Sequence, residues 1–536
     1  MLSAIWQRGR TLIWVWLLVA LTLAGPSVAL AQQEASPAAT GGSGGTMTGG
    51  FDVGPGGAPE VFNPLLATAG ATWLETYFSK LVLYDVEFTA IQGELAESWE
   101  VSADGLQYTF RLQPGVTWHD GTPFTADDVK FTIDLVKNPE SGSYLAAKFP
   151  AISEVTVQDP ATAVIALSEP NAALLDALSF LVMLPKHALE AILPADLVQS
   201  DWWFTTPIGT GPFMWSQYAP GEYVELVAYD NYWRGRPKLD RLINRYYKEP
   251  GAAIIALRAG EIDFTYATAD EAMALEGEPG FQVISGPSQV VNYLGFNLQD
   301  PRFADVRIRQ AFMYAIDRQT IIDQLFQGTA VAVPCSYSIE AFQAPDANAY
   351  EPDPEMAQSL LTEAGWDGIQ GEPLEILTYY NDQLSSDILV TIQQMLTDAG
   401  IEVTLRTVDV PTFNQIMGTT DWDIIDAGNA NGPDPDTNAT NFVSTLTPPE
   451  GFNRTYVNIP EVDALFAEGR TITDPTQRAA VYQEICGILN EQVPWAFMWV
   501  SDRFGVVSDR VSNFVWTPAP GGGRYYGATE LWSVAE

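Results

Sequence analysis

Histidine is almost absent from this chain. Only His119 and His187 occur in 536 residues, each beside turn residues, and neither belongs to a His-x-x-x-His or His-Glu-x-x-His pattern, so the sequence offers no imidazole-built zinc or nickel site. Cysteine is as scarce. Cys335 and Cys486 have no close cysteine partners for a soft-metal site, and neither a metal nor another cofactor is expected. The two could pair in an oxidising compartment, but sequence spacing does not establish the Cα separation that a bond needs. Cys486 also sits among the helix-like residues Tyr482, Ile485 and Leu489, where a buried free thiol is common, so both readings stay open. Positive charge is the third shortage: 26 Lys and Arg face 67 Asp and Glu, for a net charge of -41. A polyanion of this strength repels phosphate backbones and anionic lipid heads, which excludes nucleic acid as a partner. With 67 acids, some carboxylate pair will always look suitable for a glycosidase, so such pairs carry no weight by themselves.

Long hydrophobic runs are also missing. Arg8 and Arg10 precede an apolar run from Leu12 to Ala24, about 13 residues against the roughly 20 needed to span a bilayer as a helix. Pro26 and Ser27 interrupt it, and Ala29-Leu30-Ala31 offers a cleavage site before Gln32, the layout of a secretory signal over residues 1–31. Export to a periplasmic, cell-envelope or extracellular location is expected; an uncleaved segment tethering the protein is the rival reading. The first cysteine is Cys335, so an N-terminal lipid anchor is excluded. Cleavage would remove two positive charges, taking -41 to -43.

What is present begins with a stretch, residues 32–50, of mostly Ala, Ser, Thr, Gly and Pro, which reads as a flexible linker. Its Gly41-Gly42-Ser43-Gly44-Gly45 matches G-x-S-x-G formally, but no strand and helix flank it as a nucleophile elbow requires. About 500 residues remain, too many for one core, so two or three lobes are expected. Tyr108, Phe110 and Leu112 alternate as a half-buried strand, and Thr125-Ala126-Asp127-Asp128 resembles a capping box opening a helix with Val129, Ile133 and Val136 on its apolar face. Further on, Asp353 and Pro354 open a helix that Gly365 ends. Leu374 to Tyr379 reads as a strand, Ile388, Ile392, Met395 and Leu396 as a helix stopped by Gly400, and Ile401, Val403 and Leu405 as the next strand, together a parallel βαβ unit.

Asp434-Pro435-Asp436-Thr437-Asn438 begins like a calcium loop, but Ala439 and Thr445 stand where glycine and glutamate are required. Gly209-Thr210-Gly211-Pro212 lacks the Lys-Ser/Thr of a phosphate loop and is expected to make a tight turn. The 16 tryptophans, Trp202-Trp203 among them, read mainly as core, though some could line a ligand groove.

The ordered segments form a set. Gly93-Glu94-Leu95-Ala96-Glu97-Ser98-Trp99-Glu100 is followed by Asp104-Gly105-Leu106-Gln107-Tyr108-Thr109-Phe110 and by Trp118-His119-Asp120-Gly121-Thr122-Pro123-Phe124-Thr125-Ala126-Asp127-Asp128-Val129. Then come Gly209-Thr210-Gly211-Pro212-Phe213, Tyr232-Trp233-Arg234-Gly235, Gly260-Glu261-Ile262-Asp263, Leu294-Gly295-Phe296-Asn297, and Val306-Arg307-Ile308-Arg309-Gln310-Ala311 through Ala315-Ile316-Asp317-Arg318. In this order and spacing the chain resembles family 5 extracytoplasmic solute-binding proteins of ABC importers. The resemblance implies an α/β, two-lobed periplasmic-binding-protein-like fold of the class II type, with a third, inserted α+β domain and a ligand cleft between the lobes. Carried over, lobe I is 46–88, 206–289 and 500–536, the inserted domain is 89–205, and lobe II is 290–499. It also implies a monomer that captures a peptide or other small polar solute, delivers it to an ABC permease with a cytoplasmic ATPase, and catalyses nothing.

In peptide-binding members of the family, a loop after a strand of the second lobe runs beside the peptide and carries an Asp, four residues before a Pro, that pairs with the α-ammonium. Here the strand would be Trp422 to Asp426 and the loop Ala427 to Pro435, which makes Trp422, Gly428, Asn429, Ala430, Asn431 and Asp434 the candidate ligand-binding residues. Asn431 falls where the Asp would stand. An unpaired buried ammonium is costly, so Asp426 or Asp434 would have to substitute, or the ligand would be neutral and hydroxyl-rich, such as an oligosaccharide. An exported hydrolase using two carboxylates is the alternative of another class, without a nucleophile context or a histidine-based constellation to support it.

Overall fold

In the computed structural model, residues 44–53, 62–66, 72–197, 199–249, 251–430, 432–448, 451–519 and 525–535 are described. The export segment 1–31 and the linker as far as residue 43 lie outside them. No helix among the described residues is long and apolar enough to cross a membrane.

One eleven-stranded sheet runs through both lobes. Its order is Val403–Thr407, Leu374–Thr378, Ile424–Asn429, Phe281–Phe296, Trp495–Ser508, Phe264–Ala267, Thr46–Asp52, Arg241–Tyr247, Tyr223–Ala228 and Phe213–Ala219, with Ala330–Ala332 paired at the side to Trp495–Ser508. The strands of 16 and 14 residues, Phe281–Phe296 and Trp495–Ser508, are antiparallel partners and form the joint between the lobes. Their register shifts between Pro287 and Val291, and Gln289 there takes a φ of 55°. The irregularity lets the paired strands bend where one lobe gives way to the other.

The linker reading fails at its C-terminal end. Thr46–Asp52 is an interior strand, parallel to Arg241–Tyr247 and to Phe264–Ala267, and Met47 is buried within it. The glycines that made the segment look like a tether are demanded by packing. A Cβ on Gly50 would come within 2.3 Å of Ile262 Cδ1, so a side chain there would displace the neighbouring core.

Residues 96–167 hold a separate four-stranded antiparallel sheet, with helix Ala126–Lys137 against it. The Asp128 carboxylate accepts from Thr125 N at 2.9 Å, closing the helix start, and Trp118 is fully buried edge-on to Phe124 at 5.8 Å. Gly209-Thr210-Gly211-Pro212 is not a tight turn. It lies flat against another chain segment, where a Cβ on Gly209 would fall 1.6 Å from the Tyr77 carbonyl oxygen. His119 fastens it: Gly209 N–H donates to Nδ1 at 3.1 Å, leaving Nε2–H to donate to Gly211 O at 2.9 Å. That pair of bonds sets the tautomer, and burial holds the imidazole neutral with its pKa down at about 4.

In the other lobe, strands Leu374–Thr378 and Val403–Thr407 are parallel and joined by helix Gln383–Asp398, the βαβ unit that the periodicity indicates. Asp353 caps Met356 N at 2.8 Å, Pro354 opens that helix, and Gly365 leaves it with a φ of 73°. The question left open by the two cysteines closes in favour of a bond: Cys335 and Cys486 are disulfide-linked with Cα atoms 5.4 Å apart. Cys486 does occupy a buried helix, Pro475–Gln492, but the segment bearing Cys335 folds back onto it.

Candidate functional site

The parallel strands Leu374–Thr378 and Ile424–Asn429 are neighbours, with Thr378 opposite Asp426. From the first, the chain crosses to Val403–Thr407 on one side, and it returns to Ile424–Asn429 on the other. Such a reversal opens a crevice outside the carboxyl ends of the two strands, where α/β sheets place their ligands. A cavity of about 390 Å³ lies here, walled by the two joint strands through Ser288, Asn292, Trp499 and Arg503, and by the first turns of Gln383–Asp398. Both lobes meet at its edge. Phe326 lines it, and the next residue, Gln327, donates its side-chain amide to Asp270 of lobe I. The Arg503 guanidinium sits over Tyr266 at 4.8 Å and Trp516 at 5.6 Å.

Asp426 and Tyr380 furnish the polar part of the wall. Asp426 Oδ2 accepts from Thr378 Oγ1 at 2.9 Å. Burial raises its pKa to about 7, and the charge of Asp382 pushes the same way. Tyr380 accepts a hydrogen bond from the Tyr379 hydroxyl at 3.2 Å. Gly428 must be glycine, because a Cβ would meet Tyr380 Oη and Val290 Cγ1 at 2.7 Å each.

Past the strand, the loop behaves differently. Asn429 faces the opposite side of the sheet and is buried there; its Nδ2 donates to Asn438 Oδ1 at 2.7 Å and its Oδ1 accepts from Asn441 at 3.1 Å. Ala430 is exposed, and Asn431 lies outside the described residues. Asp434 caps the turn Pro435–Asn438 through Asp436 N, and both its oxygens take the Arg478 guanidinium at 2.7 Å. Asp436 pairs in turn with Arg470 at 3.0 Å and accepts from the Tyr482 hydroxyl at 3.2 Å. These bonds occupy the carboxylates that the calcium-like pattern had suggested. Trp422 sits before the strand, at the end away from the crevice, with its indole N–H on Thr419 O at 3.1 Å and its ring in the core beside Phe413 and Met417.

A small recess opens on this second face beside Asn429 and Asn438. Gln289 Oε1, Ser336 Oγ and Tyr337 Oη line it or abut it, buried and without hydrogen-bond partners among the described residues. Beyond it, Ala172 N–H donates to Arg470 O at 2.8 Å, and Asp176, close to the same contact, accepts from the Tyr84 hydroxyl at 2.9 Å. Burial raises the pKa of Asp176, and the neighbouring Asp434 adds to it.

The sequence reading named neither Tyr380 nor the three residues at the recess. A signal for Tyr380 existed: Tyr379-Tyr380-Asn381-Asp382 ends one recognisable strand and opens the next helix, where a switch-point crevice would lie. Gln289, Ser336 and Tyr337 follow no local pattern.

Comparison with known proteins agrees with this architecture. The model for bacterial extracellular solute-binding proteins, family 5, middle region, matches residues 90–448. A Brucella melitensis protein provisionally named an ABC transporter peptide-binding protein is 46% identical over 525 residues, covering 97% of this chain and 98% of its own. Among solved structures, the oligopeptide-binding protein AppA of Bacillus subtilis in complex with a nonapeptide aligns with a TM-score of 0.81 at 25% identity, covering 92% of this chain and 99% of that one. NikZ of Campylobacter jejuni, in complex with nickel and L-histidine, aligns with a TM-score of 0.80 at 28% identity, covering 91% and 99%. The two solved structures are similar to this chain in fold, and none of the three proteins is named as an enzyme. The two-lobed α/β fold, the cleft at its joint and the match over most of its length mean that this chain belongs to the family 5 bacterial extracellular solute-binding proteins.

Proposed function

We propose that the protein captures a peptide-like solute between its lobes, outside the cytoplasm, and delivers it to an ABC permease driven by a cytoplasmic ATPase. The observation that carries this reading is the set of buried polar atoms at the recess beside Asn429 that have no partner among the described residues, Gln289 Oε1, Ser336 Oγ and Tyr337 Oη. A buried polar group without a hydrogen bond costs about 1–3 kcal/mol. A peptide backbone, which offers a donor and an acceptor at every residue, relieves that cost. The names borne by the Brucella and Bacillus relatives support the same solute class. An oligosaccharide is less well supported, because the side chain of Asn429, a candidate ligand contact, is engaged by Asn438 and Asn441. Lobe closure over the solute would give the importer a shape that reports occupancy.

Native mass spectrometry of the freshly purified protein, followed by a thermal-shift panel of peptides and oligosaccharides, tests the proposal. A peptide at one hundred times its Kd should stabilise the folded state by about 2.7 kcal/mol. Stabilisation by sugars alone would overturn the peptide reading, and turnover of either class would overturn binding without catalysis.

A further inference from the structure

Along the two joint strands, Pro287 pairs with Asp502 and Val291 with Val500, so Ser288, Gln289 and Val290 stand opposite the single Ser501. The excess is taken up locally. Ser288 Oγ accepts from Val290 N at 3.2 Å, and Gln289 adopts a φ of 55°. That left-handed conformation is unfavourable for a residue with a Cβ, whereas glycine adopts it freely. Strain of this kind persists where the surroundings require a particular side chain, and ligand clamps are among the places where it collects. Ser288 and Val290 line the cavity on one face of the sheet, whereas Gln289 turns to the recess on the other.

In the recess its Oε1 is buried without a partner among the described residues, as are Ser336 Oγ and Tyr337 Oη. The two hydroxyls are fixed from another side. Cys335, next to Ser336, is bonded to Cys486 of helix Pro475–Gln492, and the Tyr337 ring packs edge-on to Tyr482 of that helix with centroids 6.1 Å apart. An amide oxygen only accepts, whereas a hydroxyl donates and accepts. The recess, about 10 Å³, has room for one small polar group and not for a side chain.

We propose that Gln289 accepts a hydrogen bond from one donor of the bound solute, a backbone N–H where the solute is a peptide, and so couples occupancy to the bend of the joint. Its side chain reads the solute while its backbone forms the bend. The inference rests on reading the recess as part of the solute site, and it names the residue through which that site acts on the joint. A donor held by Gln289 beside Ser336 and Tyr337 ties the irregular segment Ser288–Val290 to the support that the disulfide fixes, so the segment loses freedom when the solute arrives.

The test is calorimetry on the intact protein, wild type and Gln289→Gly, with Ala-Phe-Ala, maltotriose and the two ester analogues of Ala-Phe-Ala in which one backbone N–H is replaced by oxygen. The glycine keeps the left-handed backbone and removes the amide. One ester analogue should bind the wild type about tenfold or more weakly than the peptide, and the variant should bind both alike at the weaker level. Hydrogen exchange at Val290 and Val291 should slow about tenfold or more when Ala-Phe-Ala saturates the wild type, and should change little in the variant. Equal affinity of wild type and variant for the peptide, as a water filling the recess would give, overturns the inference and leaves the peptide reading standing. Exchange at Val290 and Val291 that ignores a bound solute also overturns it, and this wild-type measurement decides even if the variant does not fold. If maltotriose alone binds, with slowed exchange that depends on Gln289, the inference stands and the peptide reading falls. Binding of neither probe would overturn both.

Discussion

Asp426 and Asp434 stand eight residues apart on either side of one strand end, Asp434 buried and Asp426 half-buried at the wall of a cavity, and their surroundings are opposite. Asp434 spends both oxygens on Arg478, caps a turn and lies beside the Asp436–Arg470 pair. The helix that carries Arg478 also carries Cys486, so the disulfide ties Cys335 and its neighbours Ser336 and Tyr337 to the same support. Asp426 has one hydroxyl and a cavity. A buried charge with a full set of partners holds a loop in place. A half-buried carboxylate with a single hydroxyl partner exerts less of that hold. Acidity alone does not separate the two roles; the partners do.

The strongest way to break this comparison is to remove a partner. Arg478→Met should destabilise the protein by about 3–5 kcal/mol, the cost of stranding a buried charge, read as a lower urea midpoint. If the loss were below about 1 kcal/mol, Asp434 would resemble Asp426 after all. Next in size, Cys486→Ser opens a loop of 151 residues and should cost about 2–5 kcal/mol, checked by comparing unfolding with and without reductant.

The pH dependence sharpens the contrast further. Asp426 has a folded pKa of about 7 against an ordinary value of 3.8, so the native state binds the proton more tightly. Its contribution is fully present below pH 3.8 and is lost as pH rises to about 7, at no more than about 1.4 kcal/mol per pH unit. Asp426→Asn should therefore gain stability relative to wild type across that window and be the more stable protein at pH 8. His119 provides the opposite sign. Its folded pKa of about 4 lies below the ordinary 6.5, so its contribution is complete above 6.5 and is lost as pH falls to about 4. Melting curves of His119→Ala should be flatter than wild type over that acid range, and should show a smaller fixed loss, about 1–3 kcal/mol, from the stranded Gly209 N–H and Gly211 carbonyl.

Much of the fold is legible in the chain because it rests on local rules. Asp353-Pro354 opens a helix, Gly365 leaves one, and the alternation of Val403 and Leu405 sets a strand without reference to distant residues. The two-lobed α/β architecture was legible through the order of short motifs from Gly93 to Arg318. The strand Thr46–Asp52 was not, because glycines forced by close packing against Ile262 have the composition of a tether. The joint was not either: both lobes share continuous strands, Phe281–Phe296 and Trp495–Ser508, where linkers would have left a trace in composition.

By itself, the sequence determined the family, the helices and strands that short-range caps and periods encode, and a shortage of histidine and cysteine that leaves no imidazole or thiolate constellation. Tertiary structure alone decided which acids are neutralised, that Cys335 meets Cys486 across 151 residues, and that Asp434 meets Arg478 across 44. The physical reason is range. Caps and periods act within a few residues, whereas an ion pair or a disulfide forms only when the fold brings together groups that the chain holds far apart, and in this protein that leaves Asp426 facing a cavity without an arginine of its own.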